Sequence, residues 1–110
     1  MKTFDLQSLA ATQGGEYVLG MKDLHSRVCY MIFGILQPNE GQRLVKPGAG
    51  HEEILCAVEG PITLHTRYGD ELLPRGHAIH VKENESFLIS NASDEAVVYI
   101  LAGGQSPPDH

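Results

Sequence analysis

The stretch "GHEEILCAVEG", residues 50–60, passes from a glycine through one histidine and two acids into an apolar run that ends in Glu59-Gly60. Six consecutive residues rich in Ile, Leu, Cys and Val, closed by a turn glycine, read as a β-strand rather than a helix. His51 and Glu53 are two residues apart on that strand, so their side chains share one face. A carboxylate facing a protein interior needs a partner, because leaving it unpaired costs several kcal/mol. The strand therefore carries either a metal or ligand site, or a polar entry with an internal partner.

Working outward, the same punctuation recurs along the whole chain. Extended runs are expected at 17–21, 28–36, 42–45, 53–58, 62–65, 71–73, 78–81, 85–89 and 97–101. Turn residues separate them: "QGG" at 13–15, "QPNEG" at 37–41, "KPGAG" at 46–50, "YGD" at 68–70 and "NASDE" at 91–95. In "PITLHTR" the alternation puts Ile62 and Leu64 on one face and Thr63 and His65 on the other, solvent-facing side. Only "DLQSLA", near the start, suggests a turn of helix. With no helices to cover a sheet, the strands must bury their apolar faces against one another, as a sandwich or a closed jelly-roll barrel. The run "VCYMIFGIL" is apolar on both faces, which predicts a homodimer that covers the outer one.

A chain of 110 residues with 42% apolar and 20% charged residues is one soluble globular domain. The net charge of −6 and the scattered Lys and Arg residues argue against a nucleic-acid partner. No segment has the length and apolarity of a membrane span or a signal peptide, so the expectation is a cytoplasmic protein without a membrane partner. Cys29 and Cys56 lie in apolar runs and read as buried thiols. The expected organisation is an N-terminal arm over 1–15, a β domain over 16–103 and a flexible tail over 104–110.

Residues 41–60, "GQRLVKPGAGHEEILCAVEG", followed by "GHAIHVKENESFLISN" at 76–91, resemble the two consecutive motifs of the cupin superfamily. Gly41, Glu53 and Gly60 fit the first motif, and Gly76 and Asn91 fit the opening and closing positions of the second. The fifteen residues from Pro61 to Arg75 separate them, a compact spacing like that of small bacterial cupins. The resemblance implies an all-β, single-domain, cupin-like jelly-roll β-barrel. It also implies that Glu53 points into the barrel, and His51 with it. Family histidines that hold a metal would fall at Lys46 and Gly48, or at Pro47 and Ala49, and at Phe87. None is a histidine, so the resemblance implies a largely dismantled metal site.

The candidate ligand pocket is accordingly His51, Glu53, Phe87 and Asn91, with His51 and Glu53 as the candidate metal pair. Three partners for Glu53 are open: a divalent cation, a cationic side chain such as Lys46 or Arg43, or His51 as an imidazolium. His77 and His80 are spaced by three residues, so a regular strand puts them on opposite faces. With Ile79 and Val81 in the core, His80 points outward. His25 reads as loop, His110 as tail, and Phe33 and Phe87 as core. Two functions follow as expectations: an auxiliary or binding module for a small polar metabolite without a cofactor, or a divalent-metal-dependent enzyme of dioxygenase, isomerase or lyase type that uses His51 and Glu53.

Overall fold

A computed structural model describes residues 1–107. Among the described residues nine strands follow one another: β1 (Glu16–Leu19), β2 (Cys29–Leu36), β3 (Arg43–Val45), β4 (His51–Glu59), β5 (Ile62–Thr66), β6 (Gly69–Leu73), β7 (Ala78–Val81), β8 (Phe87–Ser90) and β9 (Val97–Gln105). They form two antiparallel sheets, one ordered β1-β2-β9-β4-β7 and the other β3-β8-β5-β6. Helix α1 (Leu6–Ala11) begins at Asp5, whose carboxylate accepts the Ser8 backbone N–H at 3.2 Å and so satisfies one of the unpaired donors of the first turn.

Alternation along the strands decides what each sheet buries. On β4, Glu53, Leu55 and Ala57 face inward; on β5, Ile62 and Leu64 do; on β9, Val97, Tyr99 and Leu101 do. Together with Leu36, Val45, Val81 and Ile89, all of these except Glu53 form one hydrophobic core between the facing sheets. The two sheets are thus the two layers of a jelly roll, each covering the apolar face of the other.

Four local expectations change. The predicted strand at 17–21 stops at Leu19, and a one-turn helix α2 (Met21–Leu24) follows, ending at His25 in the left-handed region (φ 55°). The arm is not detached, because α1 packs against β1 and β2. The tail starts later than residue 104: Gly104 and Gln105 belong to β9, paired with Cys29 and His51. His110 lies outside the described residues. Cys29, expected to be buried, is exposed as the first, outward-facing residue of β2, and Cys56 is half-buried; both are free thiols. No helix among the described residues is long and apolar enough to cross a membrane.

Candidate functional site

One rung of the larger sheet builds the site. Tyr30 on β2 pairs with Gly103 on β9, and Gly103 pairs on its other side with Glu53 on β4. All three face inward. A β-carbon at position 103 would stand 2.1 Å from Tyr30 Cζ, so the phenol ring lies in the space that glycine leaves open. The ring crosses the middle strand and its hydroxyl donates to Glu53 Oε2 at 2.5 Å. Burial, and then the adjacent carboxylate, push the Tyr30 phenol above its ordinary ionisation range, so it stays a donor.

Glu53 is 4% exposed. Its second oxygen, Oε1, has no hydrogen-bond partner; among the described residues only Ser106 Oγ shares that condition as a buried side-chain atom. An ionised carboxylate can only accept, so Oε1 awaits a donor or a cation. Glu53 lines a pocket of about 530 Å³ whose wall is mainly apolar, with Val18, Met21 and Tyr30 contributing, and whose polar lining includes Arg27, His51 and Gln105.

His51 stands at the same pocket, as the shared strand face requires. Its ring meets Tyr30 edge-on, with centroids 5.5 Å apart at 75°. Nδ1 lies 3.1 Å from the Ala49 carbonyl, which can only accept, so Nδ1 carries the hydrogen, and in the neutral ring Nε2 is the nitrogen with the lone pair.

The structure brings together two of the four expected pocket residues, His51 and Glu53. Phe87 packs against the core and lines a separate pocket of about 490 Å³ with Leu64, Ile79 and His80. Asn91 is buried as a turn clamp. Its Nδ2 donates to the Leu36 and Glu95 carbonyls at 3.0 and 2.7 Å, and its Oδ1 accepts from Ser93 N and Oγ. Its hydrogen-bonding capacity is spent on the chain itself.

The internal partner of Glu53 is none of the side chains proposed from the sequence. Lys46 is exposed and makes no ion pair with Glu53 among the described residues. Arg43 is engaged elsewhere, with Glu40 at 2.5 Å and the Tyr99 hydroxyl at 2.9 Å. His51 turns to Ala49. Tyr30 was missed because "VCYMIFGIL" reads as uniformly apolar. The available signal was its polar tip in step with Ile32, Gly34 and Leu36 on the inward face.

A metal fits these residues poorly. Among the described residues no group of three His, Cys, Asp or Glu side chains is placed to hold one. Phe87 contributes no donor, and His77 and His80 are both exposed. As alternation predicts, His80 points outward, where Nε2 meets Glu52 Oε1 at 2.7 Å. Tyr30 already occupies one oxygen of Glu53.

No family model matches the chain, and no curated protein does. Solved structures do. A cupin protein from Bacteroides fragilis superposes with a TM-score of 0.72 at 14% identity, covering 98% of this chain and 84% of that one. A predicted oxalate decarboxylase from Thermotoga maritima gives 0.66 at 18% identity, over 83% and 81% of the two chains. The Cupin_2 domain of an XRE family transcriptional regulator from Enterobacter cloacae gives 0.67 at 14% identity, over 84% and 99%. Motif spacing, strand order and superposition agree: the fold of this chain is that of the cupin superfamily.

Proposed function

We propose that the chain is a binding module whose pocket takes a small polar metabolite and presents Glu53 to an N–H or O–H donor of that ligand. The observation that carries this reading is the unpartnered Oε1 of a carboxylate that is otherwise buried and fixed by Tyr30. A buried acceptor without a donor costs about 1–3 kcal/mol, more when charged, and a ligand that supplies the donor recovers it. A pocket of about 530 Å³ suits a metabolite-sized guest. Apolar walls favour a ligand with a compact carbon body.

The test is a thermal-shift and NMR titration with matched small molecules that differ only in one group: an ammonium, a hydroxyl or a methyl. The ammonium and hydroxyl members are expected to bind, and Glu53→Gln to lose the ammonium preference. Equal responses from the wild type and Glu53→Gln would sink the reading.

A second reading rests on His51 and Glu53 lining one pocket, with His51 Nε2 available: a divalent-metal-dependent enzyme with an unorthodox ligand set. Near-stoichiometric metal in untagged protein, lost in His51→Ala, favours it over the binding module.

We also propose a homodimer formed through the outer face of the larger sheet, where Ile54 is 50% exposed beside the half-buried Cys56, Val58, Val98 and Ile100. Sedimentation equilibrium of wild type and Ile54→Glu tests it; a wild-type monomer overturns it. The net charge of −6 and the scattered Lys and Arg residues favour a partner other than nucleic acid.

A further inference from the structure

The outer face of the smaller sheet holds a second cluster of chemically active groups, across the core from Glu53. Alternation on β5 turns Thr63 and His65 outward, but His65 is not the free solvent-facing side chain that its spacing suggests; it is 22% exposed and engaged at both nitrogens. In register, His65 stands opposite Asp70 on β6, and Thr63 stands opposite Ser90 on β8. His65 Nδ1 lies 2.9 Å from Asp70 Oδ1, and Nε2 lies 2.6 Å from Ser90 Oγ.

A carboxylate accepts, so the contact with Asp70 puts the hydrogen on Nδ1, and in the neutral ring Nε2 is then the acceptor for the Ser90 hydroxyl. A hydroxyl held by a base, and the base oriented by a carboxylate, is the arrangement that activates a serine. The hairpin between β5 and β6 sets the His65–Asp70 pair locally, and the β5–β8 ladder delivers Ser90 from 25 residues away.

Two neighbours complete the surroundings. The Thr63 hydroxyl, directly opposite Ser90, has no hydrogen-bond partner among the described residues, so it is available to an oxyanion. Leu72, opposite Thr63, and Leu44, opposite Leu88, are 63% and 60% exposed and flank the cluster with apolar surface.

We propose that Ser90 is an activated nucleophile toward small activated esters with an apolar acyl part. Ser90 Oγ attacks the carbonyl carbon and its proton passes to His65 Nε2. The bond to the leaving oxygen breaks, and that oxygen takes the proton from His65. Water then attacks the acyl-serine, His65 accepting its proton and returning it to Ser90, so that a carboxylic acid leaves. With one hydroxyl as the oxyanion donor, turnover is slow, since loss of a single donor from such a site typically lowers the rate about 10²–10³-fold.

The experiment treats the full-length chain with an alkyl fluorophosphonate and maps the adduct by mass spectrometry. The Ser90 Oγ–P bond forms, the P–F bond breaks, and the hydroxyl proton leaves with fluoride through His65. One adduct on Ser90 is expected, absent in Ser90→Ala, and formed about 100-fold more slowly in His65→Gln if the general base acts. Mapping on the unmodified sequence needs no variant. An unlabelled Ser90, or a His65→Gln protein that keeps its fold by circular dichroism and labels as fast as wild type, overturns the proposal.

Discussion

Two rungs of the larger sheet use the same three residue types and end differently. In one, Tyr30 crosses Gly103 to reach Glu53. In the other, Tyr99 on β9 crosses Gly34 on β2 to reach Glu16 on β1, its hydroxyl donating to Glu16 Oε2. A β-carbon at 34 would stand 2.0 Å from Tyr99 Cζ, as one at 103 would stand 2.1 Å from Tyr30 Cζ. The second rung is closed: Tyr99 is fully buried, and Arg43 donates to its hydroxyl at 2.9 Å and lies 4.0 Å from Glu16. In the first, no cation pairs with Glu53 among the described residues, and Oε1 is left buried without a partner on a residue that lines a pocket. One tyrosine–glycine–glutamate arrangement is thus fully paired where an arginine completes it, and leaves a buried acceptor unpaired where none does.

The largest expected effect that sharpens this comparison is at the glycines. Gly34→Ala drives a methyl group into a fully buried ring with nowhere to go and should cost about 3 kcal/mol. Gly103→Ala displaces a ring that borders a cavity, and should cost about 1 kcal/mol because Tyr30 can swing into the pocket. Urea unfolding midpoints measure both; equal losses would mean that the two rungs are equally closed.

Next come the hydroxyls. Tyr99→Phe removes a group bonded to both a carboxylate and a guanidinium, and should lower stability by about 2 kcal/mol. Tyr30→Phe removes a single bond to a carboxylate that the pocket can rehydrate, and about 1 kcal/mol is expected. A reversed order in chemical denaturation would break the comparison.

The phenols also report the two rungs through pH. Burial raises both Tyr30 and Tyr99 above the ordinary phenol value. For Tyr30 the carboxylate hydrogen bond adds to that shift, whereas Arg43 opposes it at Tyr99. The folded state therefore holds these protons more tightly than the unfolded chain does. Their contribution is complete below the unfolded phenol value near pH 10, and is lost as pH rises from there toward the folded values. An ultraviolet titration should find at least two phenols, Tyr30 and Tyr99, still protonated at about pH 11 while the far-ultraviolet dichroism remains native; the hydrogen bond to Asp23 raises Tyr17 as well.

The smallest effect concerns Lys46. Because it stands away from Glu53 in solvent, Lys46→Ala should leave stability within about 0.5 kcal/mol of wild type. A clearly larger loss would point to an ion pair with the pocket carboxylate.

Much of this was readable from residues alone. Ile62 and Leu64 announced the inward face of β5, and Ile79 and Val81 turned His80 outward, because a strand's side-chain period is local. The resemblance of Gly41, Glu53, Gly60, Gly76 and Asn91 to the cupin motifs implied the jelly roll. Asn91 also shows where such reading stops. Its position in a motif placed it, but its four hydrogen bonds to turn groups decided that it is a clamp and not a pocket wall.

From its sequence by itself, this chain determines an all-β fold, the faces of its strands and the shared face of His51 and Glu53, since alternation and turn chemistry act over a few residues, while their inward direction was implied by the cupin resemblance. Tertiary structure alone decided that a tyrosine 23 residues away meets Glu53, and that an arginine completes the Tyr99–Glu16 contact but not that one. Those pairings depend on the register of three strands laid side by side, and on a missing β-carbon in the middle one. Neither is a property of any single stretch of chain.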